Sequence, residues 1–209
     1  MDKFIKKKNN ILKTENDIIS SIKDNKNYEI IKLKNNLEII LIEDKNLKQS
    51  SALMNVNVGS VFNYEDKPGI AHFIEHMLFL GSKKYPDSKY YQSFIESNGG
   101  YSNAYTSTEN TVYYFSINSS KFNKALDIFA QFFIEPLFNK KYVKSEVENI
   151  NSEHEKNKNQ DMWRINELGK KFFDKNNPLS KFFTGNYKTL LNNGSNKDVD
   201  ELFDCLIKF

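Results

Sequence analysis

Two of the three histidines in this chain sit four residues apart, in His72-Phe73-Ile74-Glu75-His76. On a helix, positions i and i+4 share one face. His72 and His76 can therefore present two imidazoles to one metal ion. Glu75 precedes His76 by one residue and can reach a metal-bound water without being a ligand. This is the H-x-x-E-H arrangement, the reverse of H-E-x-x-H. A zinc ion lowers the pKa of its water to about 7, and a neighbouring carboxylate takes the proton as a carbonyl is attacked. Two histidines at this spacing also fit a plain polar helix face. Here the surrounding residues Phe73, Ile74, Met77, Leu78, Phe79 and Leu80 are apolar. Imidazoles and a carboxylate on a buried helix need partners, which favours a metal.

A catalytic zinc takes a third protein ligand and leaves one position open. The candidates lie in Glu146-Val147-Glu148-Asn149-Ile150-Asn151-Ser152-Glu153-His154-Glu155. Glu146 and Glu153 are two turns apart on one helix face, about 10 Å along the axis. With Zn–O near 2 Å, one should ligate and the other support; the spacing leaves open which. The acidic run by itself reads as a solvated helix face. His154 by itself reads as a surface or packing histidine.

These residues need elements to hold them. Tyr28–Leu33 and Leu37–Glu43 read as a hairpin around Lys34-Asn35-Asn36, and Ser51–Val58 as a third strand. Pro68-Gly69 and Gly81 bracket a helix over Ile70–Leu80. A second helix is expected over Ser88–Ser97, capped by Ser88 or Asp87 and stopped by Asn98-Gly99-Gly100. Tyr101–Ser107 and Thr111–Ile117 read as strands. Ser119 or Ser120 should cap a helix over Lys121–Phe133, which Glu135-Pro136 ends. Helices are expected over Lys140–Lys158, Trp163–Phe173 and Asp198–Phe209, with Pro178 as a break. Strands first, helices between and a strand pair in the middle predict an α+β fold with helices on one face of a sheet. Residues 1–26 are polar and Lys/Asn-rich, with a short amphipathic piece at Ile18–Ile22, and are expected to be a loosely held helix or tail. Residues 27–209 then form one domain.

Composition excludes several function classes. Seventeen Phe, eleven Tyr and one Trp in 209 residues are too many for a disordered chain. The charge sum is +3, and the basic residues are nearly all dispersed Lys, with Arg164 the only Arg. That argues against a nucleic-acid surface. The lone Cys205 rules out an intramolecular disulfide framework and a Cys-based zinc site. No apolar run approaches the ~18 residues of a membrane span. The basic start has no apolar stretch of a secretory signal, so a reducing cytoplasmic setting is expected.

The sequence resembles the pitrilysin/insulysin family of inverted-motif zinc peptidases, and insulysin more than the mitochondrial processing peptidases. The segment from Gly69 to Pro86 is similar to the family's metal helix and following loop. Asn103-Ala104-Tyr105-Thr106 resembles its active-site strand. Ser152–Asn157, followed by Trp163-Arg164, resembles its third-ligand helix, and Ser180–Asn186 a later family segment. The likeness runs from about Tyr28 to Cys205. It implies a mixed, mostly antiparallel sheet with helices on one face. It makes His72, His76 and Glu153 the ligands of one Zn2+, Glu75 the general base and Glu146 the supporting acid. It places Asn103, Ala104, Tyr105 and Trp163 at the substrate, with the strand over Gly100–Ser107 accepting a peptide as an added antiparallel strand. The implied activity is that of a zinc-dependent endopeptidase acting on peptides. Family members are much longer, and their later domains supply further substrate and transition-state groups. This chain, ending at Phe209 inside an expected helix, is therefore expected to be an incomplete first domain. It would act with a missing C-terminal half or partner subunit, or else as a metal-retaining peptide-binding subunit without activity of its own. Neither nucleic acid nor membrane is expected as a partner.

Overall fold

The computed structural model describes residues 11–15, 18–19 and 21–209, and the chain divides into two compact units, Met1–Ser50 and Ser51–Phe209. Each unit is built around its own three-stranded sheet.

In the first unit, β1 (Ile11–Glu15), β2 (Asn27–Leu33) and β3 (Glu38–Glu43) pair antiparallel in that order. The expected hairpin is present, in register from Asn27 opposite Glu43 to Lys32 opposite Glu38. Its turn closes by Leu33 N–H donating to the Leu37 carbonyl, with Asn36 in the left-handed region at φ 66°. Asparagine tolerates that region better than most residues. Strand β1 corrects the expectation of a tail or loose helix over residues 1–26. Ile11 and Leu12 are adjacent, so the period-two pattern is broken; the structure places a bulge between Ile11 and Lys13. A bulge puts an extra residue into the ladder and hides the strand from a search for alternation. The amphipathic piece at Ile18–Ile22 forms no helix in its described residues, and Ile19 and Ile22 are exposed. Residues 1–10, 16, 17 and 20 lie outside the description.

The second unit carries the sheet β4 (Gln49–Val56), β6 (Thr111–Asn118) and β5 (Tyr101–Thr106), ordered β4-β6-β5. Its helices are α1 (Ile70–Leu78), α2 (Tyr90–Ser97), α3 (Phe122–Ile134), α4 (Val143–Asn157), α5 (Asp161–Lys170), α6 (Tyr187–Leu191) and α7 (Asn196–Lys208). Strand β6 is central and nearly all buried, while β4 and β5 alternate. Tyr113, Phe115 and Ile117 of β6 pack with Tyr91 and Ile95 of α2 and with Ala125, Ile128, Phe129 and Phe132 of α3. A second cluster joins Ile70, Phe73 and Met77 of α1 to Val143, Val147 and Ile150 of α4. Leu190 and Leu191 of α6 and Val199, Leu202 and Leu206 of α7 complete it. Ile74 touches both clusters, so α1 is clamped between a sheet core and a helical core.

Several ends differ from expectation. The Asn118 side chain, not Ser119 or Ser120, accepts the hydrogen bond that opens the turn before α3. Asn139 does the same for a 3-10 turn over Lys140–Tyr142, after which α4 begins. Asp87 accepts from Lys89 N–H in a turn just ahead of α2 and does not cap the helix itself. Side chains of this kind bond nearby backbone and so compete for the cap position. The helix expected over Trp163–Phe173 runs instead over Asp161–Lys170. Helix α6 was not anticipated; it is one short turn and a half, set by Asn186 and Thr189 bonding each other's backbone N–H. No described helix is long and apolar enough to cross a membrane.

Candidate metal centre and cleft

Helix α1 starts at Gly69, whose φ of 98° turns the chain sharply into the helix. The Asn63 side chain accepts from Ala71 N–H at 3.0 Å, supplying from outside the partner that a cap residue would give. One face of α1 lies in the apolar clusters. The other carries His72 and His76, whose rings stand edge to face with centroids 4.8 Å apart.

Helix α4 brings two carboxylates to these rings, and they meet different atoms. Glu153 lies 3.5 Å from His72 Nε2 and 3.7 Å from His76 Nε2. Glu146 lies 3.3 Å from His76 Nδ1, and its carboxylate also accepts from Asn149 Nδ2 at 3.1 Å. Ligand atoms of His72, His76 and Glu153 fall within 4.8 Å of one another. Two imidazole nitrogens and a carboxylate oxygen suit a borderline divalent cation such as zinc.

Glu75 is buried and accepts a hydrogen bond from Thr106 Oγ1 at 2.6 Å. Thr106 is the last residue of β5, and its inward position follows from Ala104 two residues earlier. Burial works against charging His76. The hydrogen bond to Glu146 and the charges of Glu153, Glu75 and Glu146 outweigh it, so the ring holds a proton above the ordinary imidazole range. Three carboxylates around one imidazole thus make the site attractive to cations.

The histidines and acids open onto a cleft of about 710 Å³. Its walls include Asn103, Ala104, Tyr105 and Thr106 from β5 and Trp163, Glu167 and Lys170 from α5. Every residue singled out in the sequence for ligation, proton transfer or substrate contact therefore lines this one cleft. His154 does not; it packs edge to face on Phe182. Because β5 is at the edge of its sheet, its outer backbone edge has no ladder partner among the described residues. Sequence reasoning missed Thr106 and Asn63 as supports, and it missed Thr184, whose carbonyl lies 2.8 Å from His72 Nδ1. Alternation along β5 could have found Thr106. A main-chain carbonyl leaves no residue-type signal at all.

The chain is similar to known proteins over most of its length. The insulinase family, peptidase family M16, matches residues 38–176. The insulin-degrading enzyme homolog of Dictyostelium discoideum is 42% identical over 186 residues, 89% of this chain and 19% of that protein. Insulin-degrading enzyme-like 1, peroxisomal, of Arabidopsis thaliana is 42% identical over 193 residues, 92% of this chain and 20% of that protein. The crystal structure of pitrilysin superposes with a TM-score of 0.87 at 31% identity, covering 96% of this chain and 21% of that one. The chain thus spans about a fifth of the length of the relatives it matches.

Proposed function

The chain belongs to the insulinase family of peptidases, family M16, and on that footing we propose that it carries the zinc centre of an endopeptidase that hydrolyses peptides. The observation that supports this most is the convergence of His72, His76 and Glu153 within 4.8 Å beside the buried Glu75. In this reading the three residues hold one Zn2+. When bound, zinc supplies an acidified water and polarises the scissile carbonyl. Glu75, its carboxylate oriented by Thr106, would accept a proton from the attacking water and deliver it to the departing amine. Glu146 holds the far nitrogen of His76.

The same reading puts substrate on β5. An extended peptide adds to the free edge through backbone hydrogen bonds, beside Asn103 and Ala104. Tyr105 and Trp163, both half exposed in the cleft, give its side chains an aromatic wall. Backbone recognition makes sequence preference broad. A reducing, cytoplasmic setting belongs to the proposal, since the lone Cys205 needs no oxidising compartment.

One observation favours a second reading. The chain spans about a fifth of its relatives' length. It would then serve as a metal-retaining peptide-binding subunit alongside further chain. Zinc content per chain, measured beside cleavage of a quenched fluorescent peptide with and without chelator, separates the two. One zinc with chelator-sensitive cleavage supports the peptidase. One zinc with peptide binding but no cleavage supports the subunit. Absence of zinc binding overturns both.

A further inference from the structure

Both histidine rings have their Nε2 atoms turned toward Glu153, and each has its Nδ1 atom engaged by something else. For His76 the partner is the Glu146 carboxylate. For His72 it is the main-chain carbonyl of Thr184, 112 residues further along the chain. A carbonyl only accepts, so Nδ1 of His72 must carry a proton, and in the neutral ring Nε2 then holds the lone pair.

The segment around Thr184 is tied to the start of α1 at several points. Gly69 and Gly185 both have positive φ, at 98° and 79°. A Cβ on Gly69 would lie 2.3 Å from the Gly185 Cα, and one on Gly185 would lie 3.0 Å from the Gly69 Cα. The two backbones therefore touch where only glycines fit. Buried Asn63 bridges the same two segments, accepting from Ala71 N–H and donating to the Phe183 carbonyl at 3.5 Å. Thr189 Oγ1 donates to the Pro68 carbonyl at 2.9 Å.

We propose that this clasp exists to aim one histidine: the Thr184 carbonyl, held by the Gly69–Gly185 contact and by Asn63, fixes His72 as its Nδ1–H tautomer and points its Nε2 lone pair at the position shared with His76 and Glu153. Thr184 is a positioning residue that acts through its main chain. The identity of what receives the lone pair rests on the zinc reading above; the tautomer does not.

The test uses ring 15N–1H correlation spectra of the metal-free protein at alkaline pH. With three histidines in the chain, His154→Gln and His76→Gln assign the His72 signals. The expected result is an Nδ1–H ring for His72 in the unaltered protein. Gly185→Ala, which forces the backbones apart, should shift the ring toward the Nε2–H form and weaken zinc binding about tenfold to a hundredfold, the usual range for a ligand's supporting partner. Asn63→Asp keeps the acceptor for Ala71 N–H and loses the donor to Phe183. It should move both readouts the same way by less, and it decides the matter if Gly185→Ala does not fold. An Nε2–H ring in the unaltered protein would overturn the proposal. So would folded variants with unchanged tautomer and unchanged zinc affinity. An Nδ1–H ring in a protein that takes up no zinc would leave the clasp standing and remove the metal reading instead.

Discussion

Glu75 is the residue on which the proposed chemistry turns, and its surroundings make it testable without disturbing the metal ligands. Its carboxylate sits in the wall of the cleft with a threonine hydroxyl as hydrogen-bond donor. Glu75→Gln is isosteric and leaves His72, His76 and Glu153 in place. We expect it to keep one zinc per chain in metal analysis and to lose peptide cleavage; cleavage at the parent rate would end the assignment. Thr106→Val removes the donor and leaves a buried carboxylate short of a partner. That costs about 1–3 kcal/mol, which a urea melt of the variant should register. The two acids on α4 should separate in a zinc titration. Glu153→Ala, which deletes the carboxylate whose two oxygens face the two Nε2 atoms, should lose far more affinity than Glu146→Ala, whose carboxylate meets the rings only at one Nδ1. Equal losses would reverse the choice of third ligand. At this scale the sequence was informative wherever a side chain did the work. The i, i+4 histidines and the seven-residue spacing of the glutamates were visible because helical geometry converts spacing into a shared face. The geometry that distinguishes Glu153 from Glu146 was not visible, since it depends on how α1 and α4 pack.

Among the elements, α1 carries the greatest demands, because it is packed on two sides and presents the site on what remains. Phe73 is fully buried in the cluster shared with α4. Phe73→Ala should destabilise the second unit by about 3–5 kcal/mol in denaturant unfolding. It should also weaken zinc binding, because α1 and α4 carry the ligands and share that core. A loss of stability with undiminished affinity would mean that the site is held independently of the packing. Longer elements such as α1, α3 and α4 were legible, α1 from the Pro68-Gly69 and Gly81 that bracket it. The short ones were not. Strand β1 hid behind a bulge, and α6 is too brief for a period to develop. Cap positions slipped by one or two residues because several Asn, Asp and Ser side chains compete for the same backbone donors.

At the scale of the whole chain, the second unit contains every residue proposed for the zinc site, drawn from α1 and α4. Zinc that binds only the folded form adds about 2.7 kcal/mol at a hundredfold excess over its dissociation constant. Adding zinc to metal-free protein should therefore raise the melting temperature, and chelator should lower it again. An unchanged melting curve would mean the ligands do not converge in solution. The α+β class followed from the order of elements, yet the division into two units at residue 50 did not, because no change in composition marks it.

The bond between His72 and Thr184 has a consequence for how the protein is made. A ribosome adds residues at about 5–20 per second, so roughly 6 to 22 seconds separate the synthesis of this histidine from that of the carbonyl that orients it. Throughout that interval the His72 ring lacks its Thr184 partner and is free of that restraint on rotation and tautomer exchange. Any metal captured then would be held by an unfinished cage. Under the zinc proposal, the complete cage forms only once the segment around Thr184 has emerged and closed over the helix start, so the order of synthesis delays the aimed histidine relative to the helix that carries it.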